Sequence, residues 1–335
     1  MSDDVGVLQH AVETLPNRKF GYCTDDVARA FMVALAHARL APAQEPARRL
    51  AANYLAFLQH AQLDDGRFHN FMDYDRRWAD DVGTQDSCGR AMWALGYGME
   101  HAPDDVWRRI CRSMLESAVA SLEWLEYPRS WTYAMLGLAH AHAAHPTPAL
   151  TGSLNELADR LARLYEVAAH DEWPWFENAM TYDNARLPQA LLRAGRALQD
   201  ERYIGIGLTS LRFYESVTME GGIFVPIGNA GWYERGRERA RYAQQPLEAV
   251  AMLDAQLAAF DVTGDTTHVR HAQAALEWYY GKNSRGVRMA HGGACYDGLQ
   301  EQVVNTNCGA ESTLAFLAAA YASALRRARV LEAVR

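Results

Sequence analysis

Five carboxylates, Asp25, Asp26, Asp86, Glu177 and Asp183, stand at or just before the starts of long apolar stretches. Burial among aromatic residues at such places raises the pKa of a carboxyl. Two carboxyls of unequal pKa are the equipment of glycoside hydrolysis, one donating a proton to the leaving oxygen and the other acting as base or nucleophile. These five are the candidate catalytic residues, with Asp86 ranked first. Glu248 and Glu311 lie about one helical turn further along their stretches and are expected to pair with arginines such as Arg29, Arg90 or Arg186.

The doublet Asp-Asp-Val recurs at Asp25-Asp26, Asp80-Asp81 and Asp104-Asp105, with a further copy at Asp3-Asp4. An Asp at a helix start accepts backbone N–H groups and opposes the dipole, which accounts for one Asp of each doublet but not for two. Asp104-Asp105 opens a charged stretch and serves as the structural control.

Tryptophan is concentrated in the segments that precede the apolar stretches: Trp78, Trp131, Trp173, Trp175 and Trp232 are five of the nine. Each of them could pin a loop to the core. Together they suggest a ligand platform, since sugar rings stack their C–H faces on aromatic faces while polar groups take the hydroxyls. The expected binding set is Tyr22, Trp78, Trp131, Trp173, Trp175, Asn184, Arg186, Trp232, Tyr233, Gln244, Tyr296, Asp297 and Asn305.

Six segments share one design, a loop rich in Gly, Asp and aromatics, then a polar cap, then a long apolar helix. They begin near Thr24, Gln85, Ser130, Tyr182, Gln245 and Asn307, about 45 to 65 residues apart, which is room for two helices and a loop. Between them, residues 46–62, 104–125, 154–169, 200–215 and 265–280 carry more charge and a single apolar face. Two concentric rings of helices require this contrast, so the pattern predicts an all-α fold, an (α/α)6 toroid of six helical hairpins with its long loops at one rim. Residues 3–14 are expected to close the ring or to fold over its mouth. The segments G-R-F-H-N-F and G-I-F-V-P are the sole strand signals, short hairpin arms within loops. With no linker or low-complexity segment, residues 1–335 are expected to form a single domain.

A net charge of -8 leaves no basic stripe for nucleic acid. Five scattered cysteines without a C-x-x-C pair suggest neither disulfides nor zinc, and a reducing cytoplasm fits them. The N-terminus lacks the features of a signal peptide, and the longest stretch free of Asp, Glu, Lys and Arg is broken by histidines and prolines, so no membrane segment is expected. No G-x-S-x-G, P-loop, H-E-x-x-H or G-x-G-x-x-G motif is present. His140, His142 and His145 do not share one helix face and read as structural residues. No metal ligand set and no cofactor is expected.

The six-hairpin pattern resembles the six-hairpin glycosidase superfamily. Within it, G-Y-C-T-D-D-V-A-R-A (residues 21–30), W-F-E-N-A-M-T-Y-D-N-A-R-L-P-Q-A-L-L (175–192) and N-C-G-A-E-S-T-L-A-F-L (307–317) resemble a bacterial family along essentially the whole chain. That family occurs alone or behind a glycosyltransferase domain, and often carries a glycosyltransferase label although its barrel lacks that fold. The resemblance implies a carbohydrate-active role on manno- or gluco-oligosaccharides and a glycosyltransferase partner. It assigns no catalytic residue.

Three functions are compatible with these residues. The first is a glycoside hydrolase acting on a neutral oligosaccharide through two of the five carboxylates. The second is a sugar isomerase or epimerase using histidines, of which His69 and His291 fall in rim loops. The third is a non-catalytic glycan-binding module that orients a substrate for a glycosyltransferase. A lyase needs a basic subsite, and only Arg235, Arg237, Arg239 and Arg241 offer one.

Overall fold

The computed structural model describes residues 1–42 and 45–333. Helices α1 (Thr24–Leu40), α3 (Gln85–His101), α5 (Pro128–Ala144), α7 (Arg186–Leu198), α9 (Pro246–Thr263) and α11 (Ala310–Ala333) form the inner ring, and each packs on the next, with α11 closing on α1. Helices α2 (Glu45–Ala61), α4 (Asp105–Val119), α6 (Pro148–Ala168), α8 (Glu201–Thr218) and α10 (Thr266–Trp278) form the outer ring. The two rings differ as their sequences require. Helix α9 is buried on nearly every side, whereas α4 buries only Cys111, Met114, Leu115 and Ala118, one stripe at helical spacing.

Among the described residues the sixth outer position has no helix. The N-terminal residues instead run across the rim, where the Gln9 carbonyl accepts from the Ala310 N–H and the Glu13 carbonyl from the Cys308 N–H. Of the two expectations for residues 3–14, folding over the mouth is the outcome. Both expected strand segments pair: Ile223–Phe224 forms a local hairpin with Met219–Glu220, whereas Phe71 pairs with a strand from another loop. Tyr22–Cys23 joins Phe71–Met72, Ala179–Met180 joins Tyr233–Glu234, and Gln244 bridges Leu299. These ladders tie together loops that are distant in sequence.

Side-chain caps are concentrated on the outer ring, with α3 of the inner ring an exception. Asp104, Thr147, Asp200 and Asp265 cap α4, α6, α8 and α10 with their side chains, while α1, α5, α7 and α9 have no side-chain cap. Asp104 therefore behaves as the structural control it was taken to be. Asp25 and Asp26 do not cap α1, and Thr84 caps α3, so Asp86 is released from that duty.

The inner helices approach closely where glycine allows it. A Cβ on Gly96 of α3 would lie 1.9 Å from the Gly137 carbonyl oxygen of α5, and one on Gly137 would lie 2.3 Å from that of Met92. This contact draws Arg90 and Tyr133 together over the barrel axis. No helix among the described residues is long and apolar enough to cross a membrane, and all five cysteines are buried and unpaired by disulfides.

Candidate active site

All six inner helices point their N-termini at one rim, and a cavity of about 420 Å3 opens there. Five carboxylates line it: Asp25 and Asp26 from α1, Asp86 from α3, Asp297 from the loop before α11, and Glu311 from α11. Neutral hydrogen-bonding groups surround them, including Asn70, Thr84, Asn229, Gln245, Gln300 and Asn305. No lysine or arginine among the described residues lines the cavity.

The positive charge lies one layer down. Arg29 Nη1 contacts Asp25 Oδ2 at 2.5 Å and Asp26 Oδ1 at 3.1 Å, and its Nη2 contacts Glu311 Oε2 at 2.8 Å. Arg90 Nε lies 2.6 Å from Asp25 Oδ1 and its Nη2 lies 2.7 Å from Asp183 Oδ2. The Arg90 guanidinium also sits 3.8 Å from the centre of the Tyr133 ring. Arg186 completes the lattice, with Nε 3.4 Å from Asp183 Oδ1 and Nη1 2.6 Å from Asp254. Buried charges survive only when paired in this way.

The lattice divides the acids by role. Asp25 is held on both oxygens by two guanidiniums. Asp26 is buried beside Asp25 and Glu311, and burial together with those negative neighbours outweighs Arg29 and pushes its pKa up to about 8. Burial also raises Asp86, less strongly, because the Tyr182 hydroxyl donates to its Oδ2 at 2.6 Å and Arg90 and Arg129 favour its charge. Burial raises Glu311 against the pull of Arg29. Asp183 goes the other way: burial opposes its charge, but Arg90, Arg186 and the Tyr133 hydroxyl hold it below the ordinary value.

The other expected site residues divide sharply. Asp297 and Asn305 line the cavity with Asp25, Asp26 and Asp86. Asp183 and Arg186 belong to the buried floor, and Glu177 is ion-paired to Arg129. Asn184 is buried and donates to the Thr181 carbonyl and to Glu248. Glu248 meets no arginine as had been expected; it accepts from the Asp183 and Asn184 N–H groups and from the Tyr214 hydroxyl, and burial raises it to about 7. Tyr22 is buried with its hydroxyl on Asp3, and Gln244 is buried between the Arg241 carbonyl, Ser284 and the Trp278 indole.

The expected aromatic platform is not part of this cavity's wall, which no tryptophan among the described residues lines. Trp173 packs edge-on against Phe213 and Tyr233, and its indole N–H donates to the Glu177 carbonyl. Trp175 is fully buried against Phe176 and Tyr214. The Trp131 indole donates to the Leu125 carbonyl, Trp78 stacks on His69, and Trp232, though exposed, donates to Asn229. Tyr296 packs on His291. These rings anchor long loops, and anchoring favours Trp and Tyr because each buries a large face while its polar edge finds one partner. The arginine run is likewise spent on acids, Arg239 and Arg241 on Glu220 and Arg237 on Glu234.

Sequence reasoning missed Asn70, Thr84, Gln245, His10 and Gln9 on the cavity wall; it placed Asn229 and Glu311 in rim loops without giving either a place in the binding or catalytic set. Thr84 and Gln245 reach the wall as the N-cap residues of α3 and α9, whereas Asn70 arrives with the Phe71–Met72 strand through a cross-loop pairing, which leaves no spacing signal.

No family model and no curated protein matches this chain. Solved structures do. A sugar epimerase from a ruminal bacterium aligns at TM-score 0.70 and 10% identity over 95% of this chain and 92% of that one. A D-mannose isomerase aligns at 0.69 and 14%, over 96% and 92%. A GH76 alpha-mannanase of Bacteroides thetaiotaomicron aligns at 0.67 and 11%, over 93% and 88%. The chain therefore has the (α/α)6 barrel fold that these six-hairpin proteins share.

Proposed function

We propose that this chain is a carbohydrate-active enzyme, a glycoside hydrolase acting on a neutral oligosaccharide of the manno or gluco type. The observation that carries the reading is the composition of the rim cavity: five carboxylates line it, against His10 as the one histidine there among the described residues. Its lack of lining lysine or arginine disfavours a uronate or a phosphorylated sugar, whose charge would meet only acids. The amides of Asn70, Asn229, Gln245 and Asn305 suit neutral hydroxyls, since each offers both donors and an acceptor.

Within this reading Asp26, protonated at neutral pH, gives its proton to the leaving glycosidic oxygen. Asp86, its anion steadied by the Tyr182 hydroxyl, either takes a proton from the attacking water or attacks the anomeric carbon. Asp25 carries fixed charge between Arg29 and Arg90 and positions the helix end that presents Asp26.

Sugar epimerisation or isomerisation is the second reading, favoured by His10 on the wall and by the fold likeness to a sugar epimerase and a D-mannose isomerase. Glycan binding beside a glycosyltransferase is the third, and the resemblance of the three motifs to a family fused to such domains supports it. Incubation of a panel of manno- and gluco-oligosaccharides in 18O-labelled and in deuterated water, read by mass spectrometry, separates all three. Hydrolysis yields shorter products with 18O at the new reducing end. Deuterium in an uncut sugar selects the epimerase, and calorimetric binding with neither label selects the module.

A further inference from the structure

The opposite end of the barrel carries a second constellation, formed by the last two residues of α3 and the last turns of α5. Glu100 Oε2 lies 2.6 Å from His140 Nδ1, and Glu100 Oε1 lies 3.6 Å from His101 Nε2. One ligand atom from each of the three residues falls within 4.8 Å of the others. We propose that Glu100, His101 and His140 bind a late first-row divalent cation of the Zn2+ class.

Ligand chemistry selects the ion. Two imidazoles and one carboxylate suit Zn2+, Co2+ or Ni2+, whereas Mg2+ and Ca2+ demand oxygen ligands. Geometry agrees. Ligand atoms on a tetrahedral Zn2+ with bonds of about 2.1 Å stand roughly 3.4 Å apart, so a set within 4.8 Å reaches that spacing after small side-chain rotations. The ion takes the place of the direct contact between Glu100 and His140.

The imidazoles are held in position beforehand. Tyr97 packs edge-on against both rings, with centroids 4.4 Å from His101 and 5.1 Å from His140. A ligand set held in place in this way loses little freedom when an ion arrives. The three residues lie on the wall of a cavity of about 480 Å3, which leaves a fourth coordination position for water or a small anion. The carbonyl ends of the inner helices face this cavity and favour a cation.

Most nearby positive charge is turned elsewhere, although Arg39 also acts on the Glu100 anion. Arg193, Arg196 and Arg326 converge on Asp261 at 2.9, 3.3 and 2.9 Å, and Arg39 donates to the Tyr97 hydroxyl. The sequence alone concealed the arrangement, because His140 belongs with Glu100 and His101 across two helices rather than with His142 and His145 along one. His142 instead faces the Thr151 hydroxyl at 3.0 Å.

The test uses the full chain stripped with EDTA and dialysed. Co2+ titration followed by visible absorption, and Zn2+ titration by calorimetry, are expected to give one ion per chain, an intense tetrahedral Co2+ band and its loss when Zn2+ is added. His140→Ala and Glu100→Gln weaken binding by at least about tenfold, the loss that even outer-shell changes cause at such sites, while His142→Ala retains it. Metal-free melting temperatures establish that each variant is folded, and His101→Gln at the helix end replaces any that is not. Absence of heat and of a visible band in folded wild-type protein at large metal excess overturns the proposal. Binding that survives in all the Glu100, His101 and His140 variants does so too.

Discussion

The Tyr182 hydroxyl donates a 2.6 Å hydrogen bond to Asp86 across the rim, from the loop before α7 to the first turn of α3. That bond favours the charged form of Asp86 against a burial that opposes it. Removing the donor by Tyr182→Phe therefore raises the Asp86 pKa. If Asp86 acts as base or nucleophile, the acid limb of the pH profile of kcat/KM moves to higher pH while the alkaline limb stays. An acid limb that does not move removes Asp86 from that role.

Asp26 governs the other limb. Its pKa of about 8 predicts activity that is sustained through neutral pH and declines above about pH 8 as the proton donor ionises. Asp26→Asn lowers kcat by roughly 10^2 to 10^4-fold, the span of general acid catalysis. Stability provides an independent reading. A carboxyl whose folded pKa lies above its ordinary value of 3.8 stabilises the fold fully below that value and loses the contribution as pH rises through about 8. The melting temperature of the wild type therefore falls more steeply between pH 5 and pH 9, about the window of that loss, than that of Asp26→Asn. Parallel slopes would contradict the raised pKa.

The rings of helices were legible because burial on all sides and burial on one stripe leave different periodicities, as α9 and α4 show. Inner helix starts were legible at Thr24 and Gln85, and the Thr147-Pro148 pair that opens α6 was a readable signal passed over by several residues. The direction in which each rim residue faces was not legible. Arg29 meets Glu311 where the last inner helix closes on the first, Arg90 meets Asp183 from the loop before a helix that is not its neighbour, and no local spacing encodes contacts between residues 282 and 93 positions apart. Tryptophan misled for a related reason: a loop stitched to the core by a ring and a loop offering that ring to a ligand have the same composition.

The tryptophans are therefore expected to separate in unfolding experiments. Trp175→Ala, at a fully buried ring stacked on Tyr214, costs about 3 to 5 kcal/mol in urea denaturation. Trp232→Ala, at an exposed ring in a left-handed backbone conformation, leaves stability nearly unchanged and shows no change in KM. A raised KM for Trp232→Ala with intact kcat would restore a stacking role to that ring.

The α3–α5 crossing makes a sharp prediction because it rests on a distance. Gly96→Ala places a methyl 1.9 Å from the Gly137 carbonyl oxygen, so the helices must separate. The cost is about 1 to 3 kcal/mol or more by the overpacking scale. Gly152→Ala and Gly205→Ala, in α6 and α8, meet nothing within 4 Å and are expected to stabilise by about 0.4 to 1 kcal/mol. Equal effects at the three positions in chemical denaturation would show that the close approach is absent.

Arg90 joins the site to its support. It links the half-buried Asp25 on the cavity wall to the buried Asp183 beneath it, so Arg90→Met takes one guanidinium partner from each at once. Breaking a buried pair from one side costs about 3 to 5 kcal/mol, mostly through the charge left uncompensated. Asp183→Asn in the same chain neutralises one of those charges, and the double variant is expected to recover part of the loss despite carrying one more substitution. Because Asp25 retains Arg29 at 2.5 Å, the recovered protein keeps the α1 end in place, and its residual activity tells how much of the site depends on Arg90 itself. Strictly additive losses in the double variant would show that Arg90 and Asp183 do not act as a pair.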